Sequence, residues 1–152
     1  MALRILHGRP MAEDVSDVEA WLSALTGCPE ISSTRVAGCA NHGDEDSNWF
    51  YVEADPHEGI ARLRCIGCGR VHHLLDSEER WSYPATWSCP GCQHSIAEVV
   101  LGAHEVDTGP DWVAIAVRCV ECGHVEGVTD AVIAEPGTAF DSLFSATPTP
   151  VA

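Results

Sequence analysis

Residues 60–77 read IARLRCIGCGRVHHLLDS, and residues 114–131 read AIAVRCVECGHVEGVTDA. Laid over one another at an offset of 54, Arg64 falls on Arg118 and both cysteines of each stretch coincide. Gly69 then meets Gly123, Val71 meets Val125 and Asp76 meets Asp130. A second match runs upstream at an offset of 50, where Cys39 falls on Cys89 and His42 on Cys92. The difference between the offsets falls between the knuckles, where a hairpin turn absorbs it. The chain reads as one unit used twice: knuckle, strand, turn, strand, knuckle, strand.

The segments between the knuckles support that order. Asn48 to Glu53 (NWFYVE) is aromatic and β-branched, and Asp55-Pro56-His57-Glu58-Gly59 has turn chemistry. Ile60 to Arg64 returns with apolar and basic residues alternating. In the second unit Ile96 to Leu101 and Trp112 to Arg118 are the strands, around the turn Asp107-Thr108-Gly109-Pro110-Asp111. Short strands, Arg70 to Leu75 and His124 to Thr129, follow the later knuckles. Gly69 and Gly123 stand where the chain must turn sharply and aim backbone N–H groups at sulfur, which glycine does without steric cost.

Of the 8 cysteines, six form the pairs Cys65/Cys68, Cys89/Cys92 and Cys119/Cys122; Cys39-Ala-Asn-His42 is a fourth knuckle of the same span. Such spacing points to metal in a reducing compartment rather than to disulfides. Zinc takes thiolate and imidazole in a tetrahedron, so each ion needs two knuckles. The repeat assigns one site to Cys39, His42, Cys65 and Cys68 and another to Cys89, Cys92, Cys119 and Cys122, two zinc ions per chain. Four protein ligands on each ion leave no open position, the mark of structural rather than catalytic metal. The rival grouping joins Cys65 and Cys68 to Cys89 and Cys92. If His42 is a surface residue instead, Asp44 or Cys28 completes the first site. Otherwise Cys28, beside Pro29, is a small buried apolar residue. Iron is the alternative metal in the all-cysteine site.

On Cys39-x-x-His42, Cys65-x-x-Cys68-Gly69, Cys89-Pro90-Gly91-Cys92 and Cys119-x-x-Cys122-Gly123, the chain resembles the zinc-ribbon group with its rubredoxin-like relatives. The resemblance spans about residues 36–131. It implies a mainly β fold, two tandem three-stranded metal-stapled units, and either a binding role or, with iron, electron transfer. The expected organisation is an N-terminal helix segment (1–35), ribbon one (36–77), a linker (78–86), ribbon two (87–132) and a flexible tail (133–152).

In the N-terminal segment Val15, Val18, Trp21, Leu22 and Leu25 recur at helical spacing, with Ser16 and Glu19 as a capping box and Gly27 as the stop. Met11 is an alternative start, which makes residues 1–10 an extension. No stretch approaches the roughly 18 apolar residues that cross a bilayer, and no secretory signal opens the chain, so the expected location is cytoplasmic. In the Ala-, Thr- and Pro-rich tail, Phe140, Leu143 and Phe144 have the spacing of a segment that folds on a partner groove.

The 152 residues carry 23 acids against 8 arginines and no lysine, a formal charge of −15. With two loaded sites the total reaches about −18, and so acidic a body repels phosphate backbones. The exception is local: Arg62, Arg64 and Arg70 flank the Cys65 knuckle without an acid from 59 to 75, and Trp49, Phe50 and Tyr51 lie on the paired strand. That strip is the candidate nucleic-acid contact. Ribbon two sets Arg118 against seven acids. The calcium-loop echo at Asp44–Asn48 lacks glycine at its sixth place, and His124-Val125-Glu126 lacks the downstream P-C-x-x-C of zinc deaminases. No hydrolase or phosphate-loop pattern is present. The expectation is a non-enzymatic interaction module for a partner with a basic surface. The runner-up is a nucleic-acid or transcription-machinery factor, and an iron electron carrier is the third reading.

Overall fold

A computed structural model describes residues 4–6, 9–25, 29–39, 48–135, 137–138 and 143–147. Gly27, Cys28, His42, Asp44 and Phe140 therefore lie outside the described residues. Among the described residues the protein is mainly β with one short helix. A small hairpin of β1 (Arg4–Leu6) and β2 (Arg9–Met11) precedes α1 (Val15–Ser23). The main sheet follows: β3 (Ser33–Val36), β4 (Trp49–Asp55), β5 (Ile60–Cys65), β6 (Val71–Leu74), β7 (Ile96–Val106), β8 (Gly109–Cys119), β9 (Val125–Val132) and β10 (Phe144–Thr147). Its order is β10-β6-β5-β4-β7-β8-β9, with β3 also paired to β7, and every pairing is antiparallel.

The strands stand where period-two alternation puts them. Along β4, Trp49 and Tyr51 are exposed while Phe50 and Val52 are buried. Phe50, expected on an outer aromatic surface, is instead a core residue, because strict alternation turns it away from Trp49 and Tyr51. The strands β7 and β8 carry long runs without exposed positions, Val99–Ala103 and Trp112–Val117. Both faces are covered there: one packs into the core with Phe50, Val52, Leu63 and Leu74, the other lies under α1 with Val18, Leu22 and Ile31.

The registers of the two three-strand runs agree. In β5–β6, Arg64 faces Val71, Leu63 faces His72 and Arg62 faces His73. In β8–β9, Arg118 faces Val125, Val117 faces Glu126 and Ala116 faces Gly127, each pair displaced by the same 54 residues. Phe50 stands opposite Cys65 and Ala97 opposite Cys119, and Phe50 and Ala97 face each other across the β4–β7 junction. The two runs are thus joined edge to edge in one sheet.

That sheet curls. Thr129 Oγ1 on β9 donates to the Asp55 carbonyl at the end of β4 (3.1 Å). The connector 78–86 is pinned at its end. Thr86 bridges to Glu53, the Trp87 backbone N–H donates to the Val52 carbonyl (2.6 Å), and its indole Nε1 donates to Glu126 Oε1 (2.5 Å).

Three further expectations are revised. The helix is capped by Asp14, whose carboxylate accepts from the N–H groups of Ser16 (2.9 Å) and Asp17 (3.3 Å); Ser16 already lies inside the helix. Glu19 accepts from Thr34 Oγ1 (2.7 Å) on β3 rather than closing a capping box. Within the expected flexible tail, Leu143 is fully buried and β10 pairs with β6, because the outer edge of β6 offers open hydrogen-bonding groups beside an apolar site. Among the described residues no helix is long and apolar enough to cross a membrane.

Candidate metal centres

The three C-x-x-C knuckles share one backbone clamp. The N–H of the first cysteine donates five residues ahead: Cys65 to the Arg70 carbonyl (2.9 Å), Cys89 to His94 (2.8 Å) and Cys119 to His124 (2.9 Å). The carbonyl of the same cysteine accepts from four residues ahead: from Gly69 (2.8 Å), Gln93 (2.8 Å) and Gly123 (2.9 Å). Closing both bonds forces the residue at that place to positive φ: 75° at Gly69, 68° at Gln93 and 84° at Gly123. Glycine adopts this freely and glutamine at some cost. Gln93 went unnoticed in the sequence, although counting four places from Cys89, as from Cys65 and Cys119, lands on it. In the Cys89 knuckle the Gly91 N–H also points at Cys89 Sγ (3.3 Å).

The clamps bring the sulfurs together. Cys89, Cys92, Cys119 and Cys122 form one cluster and Cys39, Cys65 and Cys68 another, the sulfurs of each lying within 4.8 Å of one another. Cys65 and Cys68 thus gather with Cys39 and not with Cys89 and Cys92. In a tetrahedron with metal–sulfur bonds of about 2.3 Å, neighbouring sulfurs stand about 3.8 Å apart. The pairs Cys89–Cys122 and Cys92–Cys119 stand at 3.5 Å and Cys39–Cys68 at 3.7 Å. A disulfide needs about 2.05 Å, and none of these three sulfur pairs approaches that length. Donor chemistry and spacing both fit a thiophilic metal ion, so both clusters could bind metal. His42 lies outside the described residues.

Electrostatics differ among the four sulfurs. The backbone N–H of His94, seconded by its ring Nδ1 at 3.3 Å, brings the Cys92 thiol down to about 6. Burial pushes Cys119 up to about 12 and raises Cys122 as well, and the Cys92 contact raises the His94 ring. A dication entering this cluster therefore displaces protons from Cys119 and Cys122.

The arginine strip is divided by its partners. Arg62 is held bidentately by Glu53 (Nε–Oε1 2.9 Å, Nη2–Oε2 2.8 Å) and its guanidinium lies 4.3 Å above the Trp81 ring. Arg64 is exposed on the outer face opposite Tyr51, beside Trp49 on the same strand. Arg70 is half-buried, with its Nε lacking a hydrogen bond among the described residues. On the second run Arg118 is fully engaged, with Glu98 Oε1 (2.6 Å) and the carbonyls of Ala12 (2.9 Å) and Glu13 (2.6 Å).

No known protein family matches the chain. No curated protein resembles it in sequence, and no solved structure matches it.

Proposed function

We propose that the protein is a pair of fused zinc ribbons, a duplicated unit acting as a non-catalytic, metal-stapled scaffold for protein recognition in a reducing, cytoplasmic setting. The observation that carries this reading is the Cys89–Cys92–Cys119–Cys122 cluster, four sulfurs at tetrahedral spacing that fill every position around an ion. The matching registers of β5–β6 and β8–β9 at one fixed offset support the duplication. By that equivalence the Cys39 cluster holds the second zinc, with His42 as its fourth ligand in the place of Cys92. Elemental analysis of purified protein by mass spectrometry should find two zinc ions per chain; a single ion refutes the duplication. An absorbing iron–thiolate chromophore instead favours the electron-carrier reading.

The partner we favour is a basic protein surface that meets the exposed acids of the second run, Glu105, Asp107 and Glu121. Reversing these three to arginine should abolish capture of a nuclease-resistant partner from lysate; undiminished capture sinks the assignment. A nucleic-acid role has one specific support, the exposed grouping of Trp49, Tyr51 and Arg64. The engagement of Arg62 with Glu53 and the net charge weigh against it. Salt-dependent binding of single-stranded RNA that is lost on Arg64→Glu and Arg70→Glu would reverse the order of the two readings.

A further inference from the structure

We propose that metal binding at the four-cysteine cluster governs the docking of helix α1, because the Cys119–His124 loop supplies two of the sulfurs and also the ledge that holds the segment leading into the helix. The inference rests on the metal reading above. The loop and the segment Met11–Glu13 are in direct backbone contact. The Ala12 N–H donates to the Gly123 carbonyl (2.8 Å), and Met11 forms a β-bridge with His124. A Cβ placed on Gly123 would stand 2.5 Å from the Ala12 carbonyl oxygen, so the two backbones meet at a distance that leaves no room for a side chain. Arg118, immediately before Cys119, completes the grip by donating to the Ala12 and Glu13 carbonyls.

The next residue is Asp14, the helix cap, so the orientation of α1 is set one residue beyond this grip. Held there, Val18 and Leu22 bury against Ile31, Val100, Trp112, Ala114 and Ala116. A helix of nine residues has little stability of its own and persists only through such packing. An ion that bridges Cys119 and Cys122 to Cys89 and Cys92 fixes the shape of the ledge. Without it, the loop keeps its backbone clamp but loses its tie to the Cys89 knuckle, and the grip on Ala12 and Glu13 weakens with it. Emptying the site then lets α1 lift and uncovers the apolar face of β7 and β8. Linkage makes the effect reciprocal: a helix that docks less well lowers the metal affinity by the same factor.

Among the described residues the first cluster has no such attachment to the N-terminal segment. Nothing among the described residues stands within 4 Å of a Cβ on Gly69, and Arg64, in the place of Arg118, is exposed and makes no ion pair there. The coupling therefore belongs to one site, which makes the other its control.

The test compares Cys122→Ser with Cys68→Ser in the full chain, reading metal content by mass spectrometry and amide hydrogen exchange of residues 15–23. Each variant should lose one ion. Exchange in α1 should rise at least about tenfold in Cys122→Ser and stay at the wild-type rate in Cys68→Ser. Unchanged α1 protection in a Cys122→Ser protein that has lost its ion overturns the coupling and leaves the metal reading standing. Two ions retained in Cys122→Ser overturn the metal reading itself, and an equal rise in both variants shows general loosening and overturns the coupling. Should Cys122→Ser fail to fold, Leu22→Ser decides from the other end. In the Cys68→Ser background, where the four-cysteine site remains, it should weaken zinc retention against a competing chelator about tenfold. Unchanged retention overturns the proposal.

Discussion

The two three-strand runs share a register and differ in what covers them. On the outer face of β8, Arg118 is neutralised by Glu98 and bonded to the N-terminal segment, and α1 lies over Val100, Ala114 and Ala116. At the matching place on β5, Arg64 is exposed opposite Tyr51, with Trp49 beside it. The inner faces are alike, since Phe50, Val52, Leu63, Val99, Ile115 and Val117 share one core. The difference teaches that the cysteine knuckles and strand register set the unit, while residues outside the unit decide which of its surfaces stay open.

The largest effect tests the likeness. Replacing the first cysteine of either later knuckle, Cys65→Ser or Cys119→Ser, should each remove one of two ions. The lost metal binding is a large share of the on the order of 10–16 kcal/mol typical of a structural zinc in small domains. Hydrogen exchange resolved by residue should place the damage in β4–β6 for Cys65→Ser and in β7–β9 for Cys119→Ser. Identical damage across both runs would show that the junction at Phe50 and Ala97 makes them one cooperative unit, which breaks the comparison.

A smaller effect tests the difference. Gly69→Ala and Gly123→Ala both place a side chain at positive φ, a strain of roughly 1 kcal/mol. Only Gly123→Ala also meets a neighbour, the Ala12 carbonyl oxygen at 2.5 Å, whereas the Gly69 position opens to space among the described residues. We expect Gly123→Ala to lose about 1–3 kcal/mol more than Gly69→Ala in denaturant unfolding. Equal losses mean that the N-terminal segment yields freely and is not gripped by the knuckle.

Much of this was legible because its causes are local. Apolar, aromatic and β-branched runs bounded by turn residues place β4, β5, β7 and β8, and the knuckle spacing selects Cys89, Cys92, Cys119 and Cys122, since turn chemistry and ligand spacing are written in adjacent residues. What stayed illegible depends on distant partners. The β4–β7 junction consists of three residue pairs, Trp49–Glu98, Phe50–Ala97 and Tyr51–Ile96, and no local pattern announces which edges will meet. The strand β10 owes its form to the open edge of β6 and to a buried site for Leu143, not to its own Ser, Ala and Thr. Asp14 and Ser16 are equally good caps by residue type, so the local pattern does not decide between them, and the helix starts after Asp14. Gln93 holds a backbone conformation that glycine holds in the other two knuckles, so composition alone conceals it.

The smallest effect sharpens the comparison through pH. His72 and His73 on β6 stand where the second run has Glu126 and Gly127. Burial pulls both rings below the usual 6.5; Arg70 and His73 add to this for His72. For His73, Glu78 and Glu53 oppose the burial while Arg62 reinforces it. The unfolded chain therefore takes up these protons first as pH falls. Stability contributed by the neutral rings is intact above 6.5, declines as pH drops through that value, and levels off below the folded-state values. Replacing both with glutamine should flatten the fall in melting temperature between about pH 7.5 and pH 5.5, by about 2–4 °C. The double variant loses only these two rings and keeps every cysteine knuckle, so any acid release of metal is common to both proteins and cancels from the difference. A full wild-type slope in the variant would assign the acid sensitivity to groups other than these two rings, and His72, on the core side with Phe50, and His73, on the other side with Trp81, would no longer distinguish the first run from the second.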